Sequence, residues 1–139
     1  MDLEGYVKAI NGHDWDGIVS FMTDDVSYED VALGEKHKGK ADVKDFWKRA
    51  ATEFSSNFQM QVVRGFQTET DYAAEWVFKG KHDGSSPQLP ATGKEFAVRG
   101  VSIGKLEHGQ IKENTDVWNL AEFLQQVGMM PAPAGAAST

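Results

Sequence analysis

Residues 23–39 read TDDVSYEDVALGEKHKG, and this stretch divides a helical-looking start from a strand-rich remainder. Within it, 26–30 spells a short strand that ends on a carboxylate. Residues 31–39, marked by Gly34 and Gly39, spell a loop or loose hairpin. An acid at a strand end, entering a loop, is held rigidly and open to desolvation, the two conditions for a tuned base. The alternation of a strand puts Tyr28 on the same side as Asp30, so a cavity facing Asp30 is also lined by Tyr28. Asp30 has a second reading, a turn acid bonded to the backbone of its own loop.

Upstream of the stretch, Leu3, Tyr6, Val7 and Ile10 recur at helical spacing over 2–11. Asn11-Gly12 stops that helix, with Gly12 suited to a left-handed C-cap. Asp14 suits the N-cap of a second helix with Trp15, Ile18, Val19 and Met22 on its inner side. Downstream, Val43, Phe46, Trp47, Ala50 and Phe54 mark a third helix over 41–54, where Asp42 offsets the macrodipole in the first turn. The pattern then changes to alternation. Phe58, Met60 and Val62 alternate with Gln59 and Gln61, and a second strand over 71–81 puts Trp76, Phe78, Gly80 and His82 on one face. A Gly-, Ser- and Pro-rich loop over 82–93 leads to strands over 94–106 and 110–118, joined by the tight turn Glu107-His108-Gly109. Leu120, Phe123, Leu124 and Val127 give a short C-terminal helix, stopped by Gly128. The tail PAPAGAAST, residues 131–139, has no apolar period and reads as disordered. Helices first, then strands joined by short turns, predict one α+β domain over 1–130. Its curved antiparallel sheet packs on three N-terminal helices, making a cone closed at one end and hollow at the other.

Composition narrows the chemistry. The 139 residues are one domain by size and carry a formal charge of −7, which disfavours nucleic acid and anionic membrane surfaces as partners. There are no cysteines, so disulfides, thiolate metal sites and a Cys nucleophile are excluded. No apolar run approaches a membrane span and no signal-peptide pattern opens the chain, which makes the cytoplasm the expected location. No His/Asp/Glu set has metal-ligand spacing, and neither a phosphate loop nor a G-x-S-x-G elbow is present, so no metal and no cofactor are expected. The 4 Trp and 8 Phe can furnish a core with rings to spare for an apolar small molecule.

Several residues stand out besides Asp30. Tyr6 shares a helix face with Leu3 and Ile10, either as a core tyrosine or as a phenol donating to a developing oxyanion. Asn114, Asp116 and Trp118 fall on one face of the last strand, and a polar, acidic, aromatic series is unusual for dry core. His82 ends the Trp76 and Phe78 face, as a structural or a catalytic group. Arg99 reads as an interface or ion-pair residue, or as an anchor for an anionic substrate. Ala97, Arg99, Val101 and Ile103 line one open sheet face and predict a homodimer. The expected cavity is lined by Tyr28, Trp47, Trp76, Phe78, Ser102, Asn114 and Trp118.

The run YVKAINGHDWDGIVSFMTDDVSYEDVALGEKHKG, residues 6–39, resembles the N-terminal half of the bacterial ketosteroid isomerases. FKGKHDGSSPQLPATGKEFAVRGVSI and IKENTDVWNLAEFLQQVG resemble the second half of the SnoaL-like polyketide cyclases, with their G-T-H-T-G, P-x-T-G-[KR] and V-R-G-V steps and closing Q-L-G helix. Both families share the cone-shaped fold named after nuclear transport factor 2. The resemblance implies Tyr6 as donor to a dienolate oxygen, Asp30 as a proton-shuttling base, and Asp116 and His82 as acid/base residues of the cyclase type. Two departures are visible. Ser102 stands where the isomerases carry a second, protonated acid donor, and Val31 replaces the Pro of their E-D-P step. The function implied is cofactor-independent acid/base chemistry on a hydrophobic carbonyl compound, an isomerisation or a polyketide cyclisation. The alternatives are a non-catalytic ligand-binding or dimerisation module, and an epoxide hydrolase-like site in which Arg99 bridges two acids.

Overall fold

The computed structural model describes residues 1–131, so almost all of the tail expected to be disordered lies outside the described residues. Two helices come first, α1 Leu3–Asn11 and α2 Trp15–Val19, and a third, α3 Gly39–Arg49, follows a β-hairpin. Asp2 caps α1 by accepting from the Gly5 amide at 2.9 Å, and Asp14 caps α2 from the Gly17 amide at 3.0 Å. Gly12 does not take the left-handed C-cap. Its φ is −80°, and the positive φ falls one residue later, on His13 at 51°. The His13 ring offsets that strain by stacking on Phe58 and bonding the Phe58 carbonyl at 3.1 Å. The third helix continues to Phe54 as expected, but its last stretch, Ala50–Phe54, widens into a π turn.

Six strands form one sheet: β1 Met22–Asp30, β2 Glu35–Lys38, β3 Gln59–Gln67, β4 Asp71–Lys81, β5 Glu95–Glu107 and β6 Gln110–Trp118, in the order β2-β1-β6-β5-β4-β3. The stretch 31–39 therefore makes a hairpin, with Asp30 opposite Glu35. The sheet is not wholly antiparallel, because β1 runs parallel to β6. The chain leaves β1 and β2, crosses over through α3 to the far edge, and returns as the meander β3-β4-β5-β6. That crossover is the connection a parallel pair requires. Irregular register at Val62/Arg64, at Lys105/Leu106 and between Met22 and Ser27 adds bends to the sheet. α4, Leu120–Gln126, follows β6, with Asn119 as its N-cap and Gly128 in the left-handed conformation after it.

The helices pack on one face of the sheet. Ile10, Ile18, Met22, Val26, Val43, Phe58 and Ile111 are buried there with Tyr6, Tyr28, Trp47 and Tyr72. A smaller cluster of Phe96, Val98, Phe123 and Val127 holds α4 against β5. Asn11 ties α1 to the free edge of β3, donating to the Met60 carbonyl at 2.9 Å and accepting from the Met60 amide at 2.7 Å. A side chain thus supplies the ladder bonds that an edge strand lacks. Among the described residues no helix is long and apolar enough to cross a membrane.

Candidate active site

Between the sheet, α3, the π turn and α4 lies a cavity that opens to solvent. Its walls are largely aromatic: Trp47, Trp76, Phe78 and Trp118, with Phe46, Phe54 and Phe123. Met60, Val98 and Leu33 add apolar surface, and the polar lining is Asp30, Glu35, Arg49, Glu53 and Asp116.

Asp30 and Asp116 sit side by side. They are register partners on the parallel strands β1 and β6, both buried, at 4% and 7% exposure. None of the ion pairs of the described residues involves either acid. Neutral donors hold them instead. Asp116 accepts from the Tyr28 hydroxyl at 2.7 Å, the Ser102 hydroxyl at 2.6 Å and the Asn114 amide at 2.9 Å. Each of the last two is oriented from behind. The Trp76 indole donates to Ser102 Oγ at 2.9 Å, and the Tyr72 hydroxyl donates to Asn114 Oδ1. Burial drives the Asp116 carboxyl above its usual value of 3.8; its three donors oppose that, and the nearby Asp30 charge adds to it. Asp30 accepts from the Trp118 indole on both oxygens, at 3.1 and 3.0 Å, and from the Leu33 amide at 2.9 Å. Both readings of Asp30 therefore describe it, since it bonds its own loop and also faces the cavity. Burial raises its carboxyl too, against the lowering by Trp118 and Leu33.

Two glycines of β5 make this network possible. A methyl at Gly100 would overlap the Trp76 ring, and one at Gly104 would overlap Tyr72. With hydrogen there, both rings lie across β5 and their polar ends reach Ser102 and Asn114.

Not every singled-out residue borders the cavity. Trp47, Trp76, Phe78 and Trp118 do, as do both acids, while Tyr28, Ser102 and Asn114 stand behind Asp116 as its donors. Tyr6 is buried and does not line the cavity; burial and the Asp116 charge push its phenol far above its usual range. His82 is fully buried elsewhere, edge-on to Phe123 and 3.0 Å from Thr92 Oγ1, and burial lowers its affinity for a proton. It does not line the cavity but packs against Phe123, one of the wall residues. Arg99 is on the exposed sheet face.

The cation at the cavity is Arg49, bonded to Glu35 at 2.9 Å and Asp45 at 3.0 Å. The sequence reading missed it, although the signal was present. Phe46, Arg49, Ala50, Glu53 and Phe54 follow helical spacing on one face, so a cation and an acid interrupt an apolar stripe. Among the described residues, no three His, Asp or Glu side chains gather as a metal-binding group.

The sheet packed on helices, with the cavity between them, is the fold that the resemblance implies. The chain belongs to the SnoaL-like polyketide cyclase family, whose family model matches residues 3–127. No curated protein matches it significantly. Among solved structures it is similar to a protein with a ketosteroid isomerase-like fold from Catenulispora acidiphila, crystallised with trimethylamine. Identity is 19%, with 92% of each chain covered and a TM-score of 0.80. AclR, a proposed hydroxylase from Streptomyces galilaeus, is 20% identical over 97% of this chain and 83% of its own, with a TM-score of 0.80. A proposed polyketide cyclase from Xanthomonas campestris is 25% identical over 90% of this chain and 93% of its own, with a TM-score of 0.77.

Proposed function

We propose that the protein is an acid/base enzyme that removes a proton α to a carbonyl of a hydrophobic small molecule, with isomerisation or cyclisation as the outcome. The observation that carries this reading is the pair of buried acids, Asp30 and Asp116, in register on adjacent strands within an apolar cavity. Desolvation makes each a stronger base than a surface carboxylate, which suits proton abstraction from carbon near neutral pH. Asp116 acts as the base. Three donors fill three of the roughly four acceptor positions of a carboxylate, and the one left, on Oδ2, receives the substrate proton. Asp30, fixed by Trp118 and Leu33, is the neighbouring carboxyl that can return a proton at a second carbon or oxygen. Family membership among the polyketide cyclases supports the same chemistry.

The test needs no natural substrate. An apolar ketone that enters the cavity is incubated with the protein in heavy water, and exchange of its α-hydrogens is followed by proton NMR. The wild type accelerates exchange, and Asp116→Asn lowers the enzymatic rate by about 10²–10⁴ with ligand affinity retained. Asp30→Asn causes the smaller loss. Exchange unaffected by both substitutions refutes the enzyme and leaves a binding module. A larger loss in Asp30→Asn exchanges the two roles.

The outer sheet face supports a homodimer as part of this proposal. Phe66, Val101, Ile103 and Val117 are 66%, 44%, 57% and 50% exposed. Val101 pairs with Val117, and Ala73 links Ile103 to Phe66, so they form one patch across β3 to β6. Light scattering reads a dimeric mass at micromolar concentration; a monomeric mass there removes the dimer.

A further inference from the structure

A small molecule that carries oxygen needs a donor in its cavity, and this lining offers few. Asp30, Glu35, Glu53 and Asp116 are carboxylates, which only accept when ionised. The Trp76 indole donates to Ser102 and the Trp118 indole to Asp30, while Trp47 Nε1 is sealed inside the wall. Arg49 remains. Two of the five N–H groups of its guanidinium are engaged among the described residues, Nε with Asp45 at 3.0 Å and Nη2 with Glu35 at 2.9 Å. Nη1 stands 4.0 Å from Glu53, beyond hydrogen-bond reach, so both of its hydrogens and one on Nη2 are uncommitted. The group can also be reached. The side chains of Arg49, Glu35 and Glu53 are 32%, 30% and 37% exposed, so they border the open end of the cavity, whereas Asp30 and Asp116 are buried. The bonds to Glu35 on β2 and to Asp45, one turn back on α3, fix the guanidinium plane there.

We infer that Arg49 reads the outer end of the bound molecule by donating to an uncharged oxygen there, a carbonyl or an ether. The inference rests on the acid/base reading for the inner end of the ligand and adds a second requirement to it. The substrate carries an acidic C–H for the buried acids and an acceptor oxygen at the mouth, on an otherwise apolar body. The oxygen is uncharged because the guanidinium is already matched. Glu35, Asp45 and Glu53 set three negative charges around its one positive charge, so an incoming carboxylate meets net repulsion. A neutral acceptor takes the hydrogen bond without that repulsion, and a charged donor gives it a stronger bond than a neutral one. Arg64 is paired with Glu75 away from the cavity, and Arg99 lies on the exposed sheet face.

The experiment uses the full chain with nitrogen-15 in its arginines, Arg49, Arg64 and Arg99, each signal being assigned by single substitution. The probes share one shape: 2-acetylnaphthalene, 2-isopropenylnaphthalene, which has CH2 in place of the oxygen, and the anion 2-naphthoate. Acetylnaphthalene is expected to move the guanidinium signals of Arg49 and to leave those of Arg64 and Arg99 in place. Naphthoate is expected to bind more weakly than acetylnaphthalene. Arg49→Met keeps the apolar stem and removes the donors, so the affinity ratio of acetyl to isopropenyl compound is expected to fall about 3- to 10-fold. Four results overturn the inference: no saturable binding of acetylnaphthalene, unmoved Arg49 signals at saturation, an unchanged ratio in Arg49→Met, or naphthoate bound more tightly than the ketone. The wild-type spectra need no variant at position 49, so a misfolded variant does not protect it. Turnover plays no part in these measurements. Shifted Arg49 signals in a protein whose Asp30→Asn and Asp116→Asn variants exchange α-hydrogens at the wild-type rate keep Arg49 as the donor and remove the acid/base reading.

Discussion

Ser102→Ala probes the support of Asp116 most directly. It deletes the 2.6 Å bond from the Ser102 hydroxyl to Asp116 and leaves the Trp76 N–H without its acceptor. A hydrogen bond to a charged group contributes about 1.5–3 kcal/mol, and an orphaned neutral donor costs about 1–3 kcal/mol. Relaxation of the indole toward the cavity recovers part of the second term. The expected loss at pH 7 is therefore about 2–4 kcal/mol, read as a shift of the urea midpoint at constant slope. The pH dependence separates the two terms. Asp116 already titrates above 3.8 because it is buried, and without Ser102 it titrates higher still. The unfolded chains are alike in the two proteins, so only the folded pKa differs. As pH falls, the variant takes up its proton first, and its deficit shrinks. Once the wild-type Asp116 is also protonated the charged part is gone, leaving only the indole part of about 1 kcal/mol. Ser102→Thr keeps the hydroxyl and should recover most of the pH-dependent part. A deficit that stays constant as pH falls from 8 toward 4, or one below about 0.5 kcal/mol at pH 7, refutes the view that Ser102 supports a charged Asp116.

Three further outcomes are expected. In the wild type the raised Asp30 and Asp116 bind more protons folded than unfolded. Their joint contribution is therefore greatest at or below their usual 3.8 and is lost as pH rises through the folded values; Asp116→Asn flattens that fall in urea melts taken across the range. Gly100→Ala pushes the new methyl into Trp76, costs about 1–3 kcal/mol and changes tryptophan fluorescence, whereas Ala97→Gly on the exposed face of the same strand leaves that fluorescence unchanged. Asn11→Ala removes both bonds to Met60 at the β3 edge and costs about 1–3 kcal/mol, with protection of the Met60 amide lost in hydrogen exchange.

Periodicity alone determined much of this protein. Helical spacing located α1 and the continuous run from α3 into the π turn, and alternation located β3 to β6 and placed Asn114, Asp116 and Trp118 on one face. These are local properties, since a side chain's direction follows from its neighbours in the chain. The Asx caps at Asp2 and Asp14 are local in the same way. What lies between segments far apart in the chain was decided by the tertiary structure. The parallel pairing of β1 with β6 sets Asp30 beside Asp116, and nothing in either strand's own pattern specifies that partner. Tyr6 lies on the buried face of α1 and His82 follows Trp76 and Phe78 on one face, yet neither lines the cavity, because a face fixes direction and not depth. Arg49 interrupts an apolar helical stripe in the sequence, but that the stripe faces the cavity was decided only by the packing of the rings around it. The stretch 23–39 spelled an acid at a strand end, and the crossover through α3 gave that acid its neighbour.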